Sequence, residues 1–303
     1  MEEEQFIMPD LVYGNLKTLA RTISIIENEA AGYDKILKQL PASSTSLIIG
    51  ITGAPGAGKS TLTDALIEQL VKQQKKIAVL CVDPSSPYHH GALLGDRIRM
   101  NAWFNEPLVY IRSLASRGSL GGLNPKIVEI TDVLKAYLFD YIIIETVGVG
   151  QSEVEIAGLA DVTVVVLNPG TGDEVQIMKA GLIEVADVFA INKSDRPEAD
   201  SLVSDLILMQ KSKHGNAGNN KPIVKTIATE KKGIDDLLKA IYQQVDVSDN
   251  KKYSLLAEKA YQLILKHRMK GIDKAAITEL IKKESAKENF NLYQWVESFE
   301  KHV

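Results

Sequence analysis

Residues 53–60 carry the pattern whose chemistry can be assigned most directly from residue types and spacing. Gly53, four residues and then Gly58-Lys59-Ser60 have the spacing of a phosphate-binding P-loop, placed between an apolar β-branched run and a helical pattern. Backbone N–H groups and the helix N-terminus can surround a phosphate there, while Lys59 neutralises its oxygens and Ser60 offers a hydroxyl to Mg²⁺. The sequence therefore predicts a nucleoside triphosphate site. Its loop residues are Gly53, Ala54, Pro55, Gly56, Ala57, Gly58, Lys59, Ser60 and Thr61.

A second motif, Asn192-Lys193-Ser194-Asp195, follows another apolar run and indicates which base is bound. A carboxylate at Asp195 can accept hydrogen bonds from the N1–H and the 2-amino group of guanine. Adenine has neither donor and would leave that carboxylate unpaired, which is costly. Asn192 can tie this loop to the P-loop, and the stem of Lys193 can lie across the base. The motif therefore predicts GTP rather than ATP, with a further base contact near Ala228.

Acidic residues at strand ends are the candidates for a magnesium site. Glu145-Thr-Val-Gly148 stands where GTPases usually carry Asp-x-x-Gly. Glu145 would meet the metal directly or through water, and the Gly148 N–H can contact the γ-phosphate and sense hydrolysis. Asp83 ends a buried strand, where ligands bind in open α/β sheets, and Asp96 is a further candidate. The alternatives are a solvated strand end for Asp83 and a helix-start charge for Asp96.

The residue that would orient the attacking water is not evident. Val149, and not glutamine, follows Gly148, and Gln151 lies further along the chain. A switch glutamine usually performs this task. We therefore predict slow intrinsic hydrolysis that accelerates when a partner binds.

Strand patterns alternate with helix patterns through the middle of the chain, which is typical of an α/β fold with a mostly parallel sheet covered on both faces. Residues 11–40 have helical spacing, with Gly32 separating two helices. From about residue 248 onward the pattern is helical only. We predict three parts: a helical N-terminal extension (1–45), a P-loop domain (46–246) and a helical C-terminal arm (247–303).

Composition excludes several classes of function. The 303-residue chain has a formal net charge of −4, which argues against nucleic acid as the main partner. Cys81 is the only cysteine, so neither an internal disulfide nor a cysteine-rich metal site is expected. The acidic N-terminus, Met-Glu-Glu-Glu, is unlike a secretory signal or mitochondrial presequence, and the apolar runs are too short to span a membrane. We expect a cytoplasmic protein, or a matrix protein whose presequence is missing.

Seven segments together resemble the MeaB/ArgK family of P-loop GTPases, which contains the methylmalonic aciduria type A protein. In chain order they read GITGAPGAGKST, VLCVDPSSP, LLGDRIRM, SRGSLGGL, ETVGVGQSE, NPGTGDEVQIMKAG and NKSD. The resemblance implies a SIMIBI-type GTPase domain with helical extensions. It also implies a metallochaperone that couples GTP binding and hydrolysis to adenosylcobalamin loading and protection of methylmalonyl-CoA mutase, or of a related acyl-CoA mutase such as the isobutyryl type.

The resemblance also implies roles for individual residues. It places one set around Mg²⁺ and the phosphates: Lys59, Ser60, Asp83, Asp96 and Glu145. The catalytic candidates are Gly148 and three members of that set: Lys59, Asp96 and Glu145. Residues 168–179 would be a switch that responds to the mutase, with Asp173 and Lys179 as its charged members. The C-terminal helices would form a dimerisation arm that makes a homodimer. Arg99 and Arg117 are candidates for catalytic or partner-responsive charge, with ordinary surface arginines as the alternative. His89-His90 depart from the family pattern.

Three other functions stay open. A GTP-gated nickel-insertion protein for hydrogenase or urease shares this architecture, although such proteins generally use Cys and His ligands and Cys81 has no second cysteine to join it. An ATPase or kinase linked to amino-acid transport would need ATP, which the motif at 192–195 opposes. A regulatory GTP switch without cofactor cargo is the third.

Overall fold

The computed structural model describes most of the chain and divides it into two compact units, Met1–Leu255 and Leu256–Val303. In the first unit the described residues are 15–41, 45–83, 100–116, 123–146, 152–170, 182–214 and 220–245. In the second unit they are 257, 260–265, 267–269, 272–285 and 290–300.

A seven-stranded sheet, in which every strand pairing is parallel, forms the centre of the first unit. Its strands are β1 (Leu47–Thr52), β2 (Ile77–Asp83), β3 (Val109–Ala115), β4 (Tyr141–Glu145), β5 (Val162–Leu167), β6 (Val188–Ile191) and β7 (Ile223–Lys225). They lie in the order β3-β2-β4-β1-β5-β6-β7. Because the strands are parallel, the segments that follow β1, β4, β5 and β6 leave the sheet at one edge, and ligands bind at this edge in such folds.

Eight α-helices of this unit are described. They are α1 (Leu16–Glu27), α2 (Tyr33–Gln39), α3 (Lys59–Lys72), α4 (Ile127–Ala136), α5 (Ser152–Ala157), α6 (Leu182–Val185), α7 (Ala199–His214) and α8 (Ile234–Gln244). Two short 3₁₀ helices, Asn101–Trp103 and Ala228–Glu230, also lie in its described residues. Gly32 takes a φ of 89° directly before α2, which confirms the prediction that it separates two N-terminal helices.

Helices cover the sheet on both faces, because successive side chains of a strand point to opposite sides. On one face, Ile49 and Ile51 of β1 pack in a core with α3 and α8. On the other face, Ile48 packs with α1, α4 and Ile156 of α5. A further core joins β5 and β6 to α6 and α7. The predicted α/β fold with a parallel sheet is confirmed.

The N-terminal helices share this core through the apolar face of α1, whose Leu19, Ile23 and Ile26 are fully buried. The side chain of Asn15 caps α1 by accepting hydrogen bonds from two backbone N–H groups of its first turn. Arg112 of β3 donates to Glu27 at 2.7 Å, which ties the end of α1 to the sheet.

The second unit is helical in its described residues, with α9 (Lys274–Glu284) and α10 (Leu292–Glu300) as its defined helices. Several large apolar side chains of this unit are exposed: Tyr261, Leu263, Ile264, Leu265, Met269, Leu280, Leu292, Tyr293 and Val296. Among the described residues of the whole chain, no helix is long and apolar enough to cross a membrane.

Candidate functional site

The P-loop joins β1 to α3 and is shaped by two glycines. Gly53 has a φ of 139°, and a Cβ atom there would lie 2.1 Å from the carbonyl oxygen of Val166. Gly58 has a φ of 93°, and its Cβ would lie 2.3 Å from the side-chain nitrogen of Asn192. Other residues rarely adopt these angles, and a side chain would collide with β5 or with the loop after β6. The loop therefore follows β5 and β6 closely only because these positions are glycine.

Lys59, the first residue of α3, extends back along this loop. Its Nζ donates to the carbonyl oxygens of Gly53 at 2.8 Å and Ala54 at 3.1 Å, and the residue is only 7% exposed. The ammonium group is thus held against the backbone of the loop by a residue that begins helix α3. This is the arrangement in which it can neutralise phosphate oxygens.

Glu145 ends β4, which pairs with β1 so that Ile51 lies opposite Glu145. Its buried carboxylate faces the start of α3: Ser60 Oγ donates to Oε1 at 2.6 Å, and Thr63 Oγ1 lies 2.8 Å from Oε2. Beside them, the hydroxyls of Thr52 and Thr146 lie 2.8 Å apart. The structure therefore brings together Ser60 and Glu145, which the sequence predicts as metal ligands.

The other predicted acidic and switch residues are placed only in part. Asp83 ends β2, and Cys81 of that strand pairs in register with Glu145, so the backbone of Asp83 lies at the same edge of the sheet. Several predicted site residues lie outside the described part of the chain: His89, His90, Asp96, Arg99, Arg117, Gly148, Gln151, Asp173 and Lys179.

Asn192 connects the P-loop with the segment after β7. Its contact with the P-loop was predicted from the sequence, whereas its contact with the segment after β7 was not. Its Nδ2 donates to the carbonyl oxygen of Ala57 at 3.0 Å, and its Oδ1 accepts from the backbone N–H of Ala228 at 3.1 Å. The side chain is 2% exposed. Lys193 adds a second connection, because its Nζ donates to the carbonyl oxygen of Gly56 at 2.9 Å. One buried amide thus fixes three loops relative to one another.

Asp195 is solvent-exposed and stands at the end of this loop, where a base could reach its carboxylate. The preceding Ser194 N–H donates to the carbonyl oxygen of Thr226 at 3.1 Å, which anchors the loop. Nearby, the pKa of Lys232 is raised, chiefly by its hydrogen bond to Glu230 and to a lesser degree by the charge of Asp195. The Ala228 N–H, expected near the base, donates to Asn192 in this structure.

The assembled groups match the parts of a guanine nucleotide and its cation. The loop amides and Lys59 are suited to phosphates, and the exposed carboxylate of Asp195 to the donors of guanine. The hydroxyl of Ser60 and the carboxylate of Glu145 are hard oxygen ligands in direct contact, which is the donor type that Mg²⁺ prefers. The residues present therefore fit a magnesium-bound nucleotide.

Sequence reasoning missed several contacts of this site, among them those of Thr63 and Arg196. Thr63 lies four residues after Lys59, so helical spacing already places both on one side of α3, but its partner Glu145 is 82 residues away. Arg196 donates to the carbonyl oxygen of Pro169 at 3.2 Å and so links the loop of residues 192–195 to the segment after β5. An arginine directly after the 192–195 motif was the only sequence signal for the second contact.

Comparison with known families identifies a match over most of the chain. The family described as methylmalonyl Co-A mutase-associated GTPase MeaB matches residues 19–285. A putative GTPase of Pyrococcus horikoshii is 45% identical over 232 residues, which cover 75% of this chain and 73% of that protein.

Two further relatives carry informative names. A fused isobutyryl-CoA mutase of Geobacillus kaustophilus is 41% identical over 194 residues, which cover 60% of this chain and 18% of that much longer protein. Among solved structures, a LAO/AO transport system kinase matches with a TM-score of 0.66 and 25% identity, covering 97% of this chain and 96% of its own.

Proposed function

Because the chain belongs to the family of methylmalonyl Co-A mutase-associated GTPases named MeaB, we propose that it binds GTP with Mg²⁺ and hydrolyses it to GDP and phosphate. The observation that carries this proposal is the position of Asn192, whose buried side chain joins the P-loop to residues 192–195, which we call the guanine-recognition loop. The two motifs thereby form one site.

Each residue has a separate task in this proposal. The amides of residues 53–60 and the ammonium group of Lys59 bind the phosphates and lower the cost of the charge that builds up during phosphoryl transfer. Ser60 and Glu145 hold the cation, with Asp83 and Asp96 as further candidates. When bound, Mg²⁺ would neutralise negative charge on the phosphate oxygens. The Gly148 N–H contacts the γ-phosphate.

Base selection rests on Asp195. Its carboxylate accepts from N1–H and the 2-amino group of guanine, and the Lys193 stem lies beside the ring. Lys193 is held in the left-handed region at a φ of 54° and bonded to the Gly56 carbonyl, so the loop is fixed before the base arrives. An adenine base would leave the Asp195 carboxylate without those donors.

Val149 follows Gly148, at the position where a glutamine usually orients the attacking water. Hydrolysis is therefore slow until a partner supplies or positions a side chain that orients this water. We propose that the partner is an adenosylcobalamin-dependent acyl-CoA mutase, with methylmalonyl-CoA mutase first and the isobutyryl type second. The family's description and the relative named fused isobutyryl-CoA mutase support this choice. The protein would assist cofactor loading and protect the mutase, with residues 168–179 as the responsive switch.

We also propose a homodimer in which residues 247–303 form the arm. The many large apolar side chains exposed in the described part of the second unit support this, since apolar surface of this kind is typical of interaction sites. The name of the LAO/AO transport system kinase favours one competing function, an ATP-dependent enzyme of amino-acid transport. Nickel insertion is the other competing function, but such proteins generally use Cys and His ligands, and Cys81 is the only cysteine of the chain.

The test measures phosphate release from GTP and from ATP, each with and without the mutase. A cobalamin-independent acyl-CoA enzyme is the control protein, and Lys59→Ala is the control variant. We expect slow turnover of GTP only, increased by the mutase and lost in the variant. GTP turnover that ignores the mutase would refute the partner and leave the GTPase. A preference for ATP would refute the role of Asp195.

A further inference from the structure

Thr63 is a buried threonine of α3 that no family motif includes, yet it contacts the carboxylate at the centre of the site. We propose that Thr63 is a positioning residue that orients the Glu145 carboxylate for Mg²⁺. This inference rests on the proposed binding of a magnesium-bound guanine nucleotide and adds a determinant of its cation affinity.

Geometry supports the assignment. Ser60 and Thr63 lie three residues apart and therefore on the same side of α3. From that side each approaches a different oxygen of Glu145: Ser60 Oγ at 2.6 Å from Oε1 and Thr63 Oγ1 at 2.8 Å from Oε2. Thr63 is completely buried and Glu145 is 4% exposed, so solvent does not easily replace the contact. Two hydroxyl groups of the same helix therefore contact the two oxygens of this carboxylate.

The hydroxyl of Thr63 has one hydrogen and two acceptors within reach. The carbonyl oxygen of Lys59 lies 3.0 Å away and the Glu145 oxygen 2.8 Å away. A hydrogen bond to a carboxylate is the stronger of the two, so the hydrogen is donated to Glu145. When the Ser60 oxygen turns towards a cation, Thr63 still holds Oε2. Glutamate has one more rotatable bond than the aspartate of the usual Asp-x-x-Gly motif. The hydrogen bond from Thr63 therefore restricts the orientation of the carboxylate more here than it would for an aspartate.

The expected consequence is a change in cation affinity rather than in folding alone. Thr63→Val keeps the shape of the side chain but removes the donor, so the carboxylate loses a charge-assisted hydrogen bond and its fixed orientation. We expect the Mg²⁺ concentration for half-maximal nucleotide retention to rise about tenfold, which equals about 1.4 kcal/mol. Thr63→Ser restores the donor and should bring the value back towards that of the wild type.

A matched control exists in α4. Thr131 is also a buried helical threonine, 1% exposed, and its hydroxyl donates to the carbonyl oxygen of Ile127 four residues earlier at 2.6 Å. Thr131→Val therefore removes an equivalent buried hydroxyl away from the site. It should lower the melting temperature by a similar amount and leave the Mg²⁺ dependence unchanged.

The experiment measures the release rate of a fluorescent GDP from each full-length protein across a Mg²⁺ titration, with melting temperatures recorded in parallel. A shifted Mg²⁺ midpoint in Thr63→Val, absent in Thr63→Ser and Thr131→Val, supports the proposal. An unshifted midpoint in Thr63→Val, or an equal shift in Thr131→Val, overturns it while the proposed function stands. Wild-type protein that does not bind GDP, or binds it without regard to Mg²⁺, would overturn the proposed function and this inference together.

Discussion

The Asn192 side chain offers the sharpest test of how the site is assembled, because one substitution acts on two loops. Asn192→Ala removes the donor to the Ala57 carbonyl and the acceptor of the Ala228 N–H. Each buried polar group left without its partner costs about 1–3 kcal/mol. The free energy of unfolding should therefore fall by about 2–6 kcal/mol, and the melting temperature by at least about 4 °C in a domain of this size.

Nucleotide affinity should fall as well, because the P-loop and the guanine-recognition loop are no longer held in register. We expect GTP to bind at least about tenfold more weakly, a loss of about 1.4 kcal/mol or more. Thermal unfolding followed by circular dichroism and GTP titration calorimetry well below the melting temperature measure the two effects separately.

Asn124 provides the matched control. It is also 2% exposed, donates to the Ala115 carbonyl at 2.7 Å and accepts from the Lys126 N–H at 2.8 Å. Asn124→Ala should lose comparable stability but keep its GTP affinity. If Asn192→Ala bound GTP as tightly as the wild type, or if both variants lost affinity equally, the bridging role of Asn192 would be refuted.

Two further predictions concern stability. Gly53→Ala places a Cβ atom 2.1 Å from the carbonyl oxygen of Val166, so calorimetry should show a free energy of unfolding lower by at least about 2 kcal/mol. Gly56→Ala is the control, because nothing lies within 4 Å of its Cβ, and it should lower that free energy by only about 1 kcal/mol from its positive φ. Glu68 has a pKa lowered by hydrogen bonds from Lys231 and Lys72, so its contribution is present above the ordinary value of 4.5 and disappears as pH falls through the lower folded value. Glu68→Gln should therefore cost up to about 1 kcal/mol at pH 7 in urea unfolding and nothing at strongly acidic pH; an equal loss at both pH values would contradict the assignment.

Much of the fold could be predicted because its signals are local. Apolar β-branched runs that end at Asp83 and Glu145 indicate buried parallel strands, and both residues do end strands. The spacing of glycines and Lys59 likewise defines the strand, loop and helix around the phosphate. The contact of Asn192 with the P-loop was also predicted, since its motif combines a specific side chain with a strand end.

The remaining contacts depend on which strands become neighbours, and a single sequence does not determine that order. Thr63 meets Glu145 only because β4 lies next to β1 in the sheet. Lys126 shows the same dependence: its buried ammonium group contacts Glu129, three residues later, at 3.2 Å, but it also contacts Glu29 of the N-terminal extension at 2.9 Å, and only this second pair depends on tertiary packing. Such pairs are decided by tertiary packing, where separations along the chain carry no information.

The claim that this site selects guanine can be tested most directly by titrating the wild-type protein with GDP and with ADP in the presence of Mg²⁺. Calorimetry should show GDP binding at least about a hundredfold more tightly, because adenine leaves the Asp195 carboxylate unpaired. The preference should disappear in Asp195→Ala. Equal affinities for GDP and ADP in the wild type, or tighter binding of ADP, would contradict the assignment of this protein as a guanine-nucleotide enzyme.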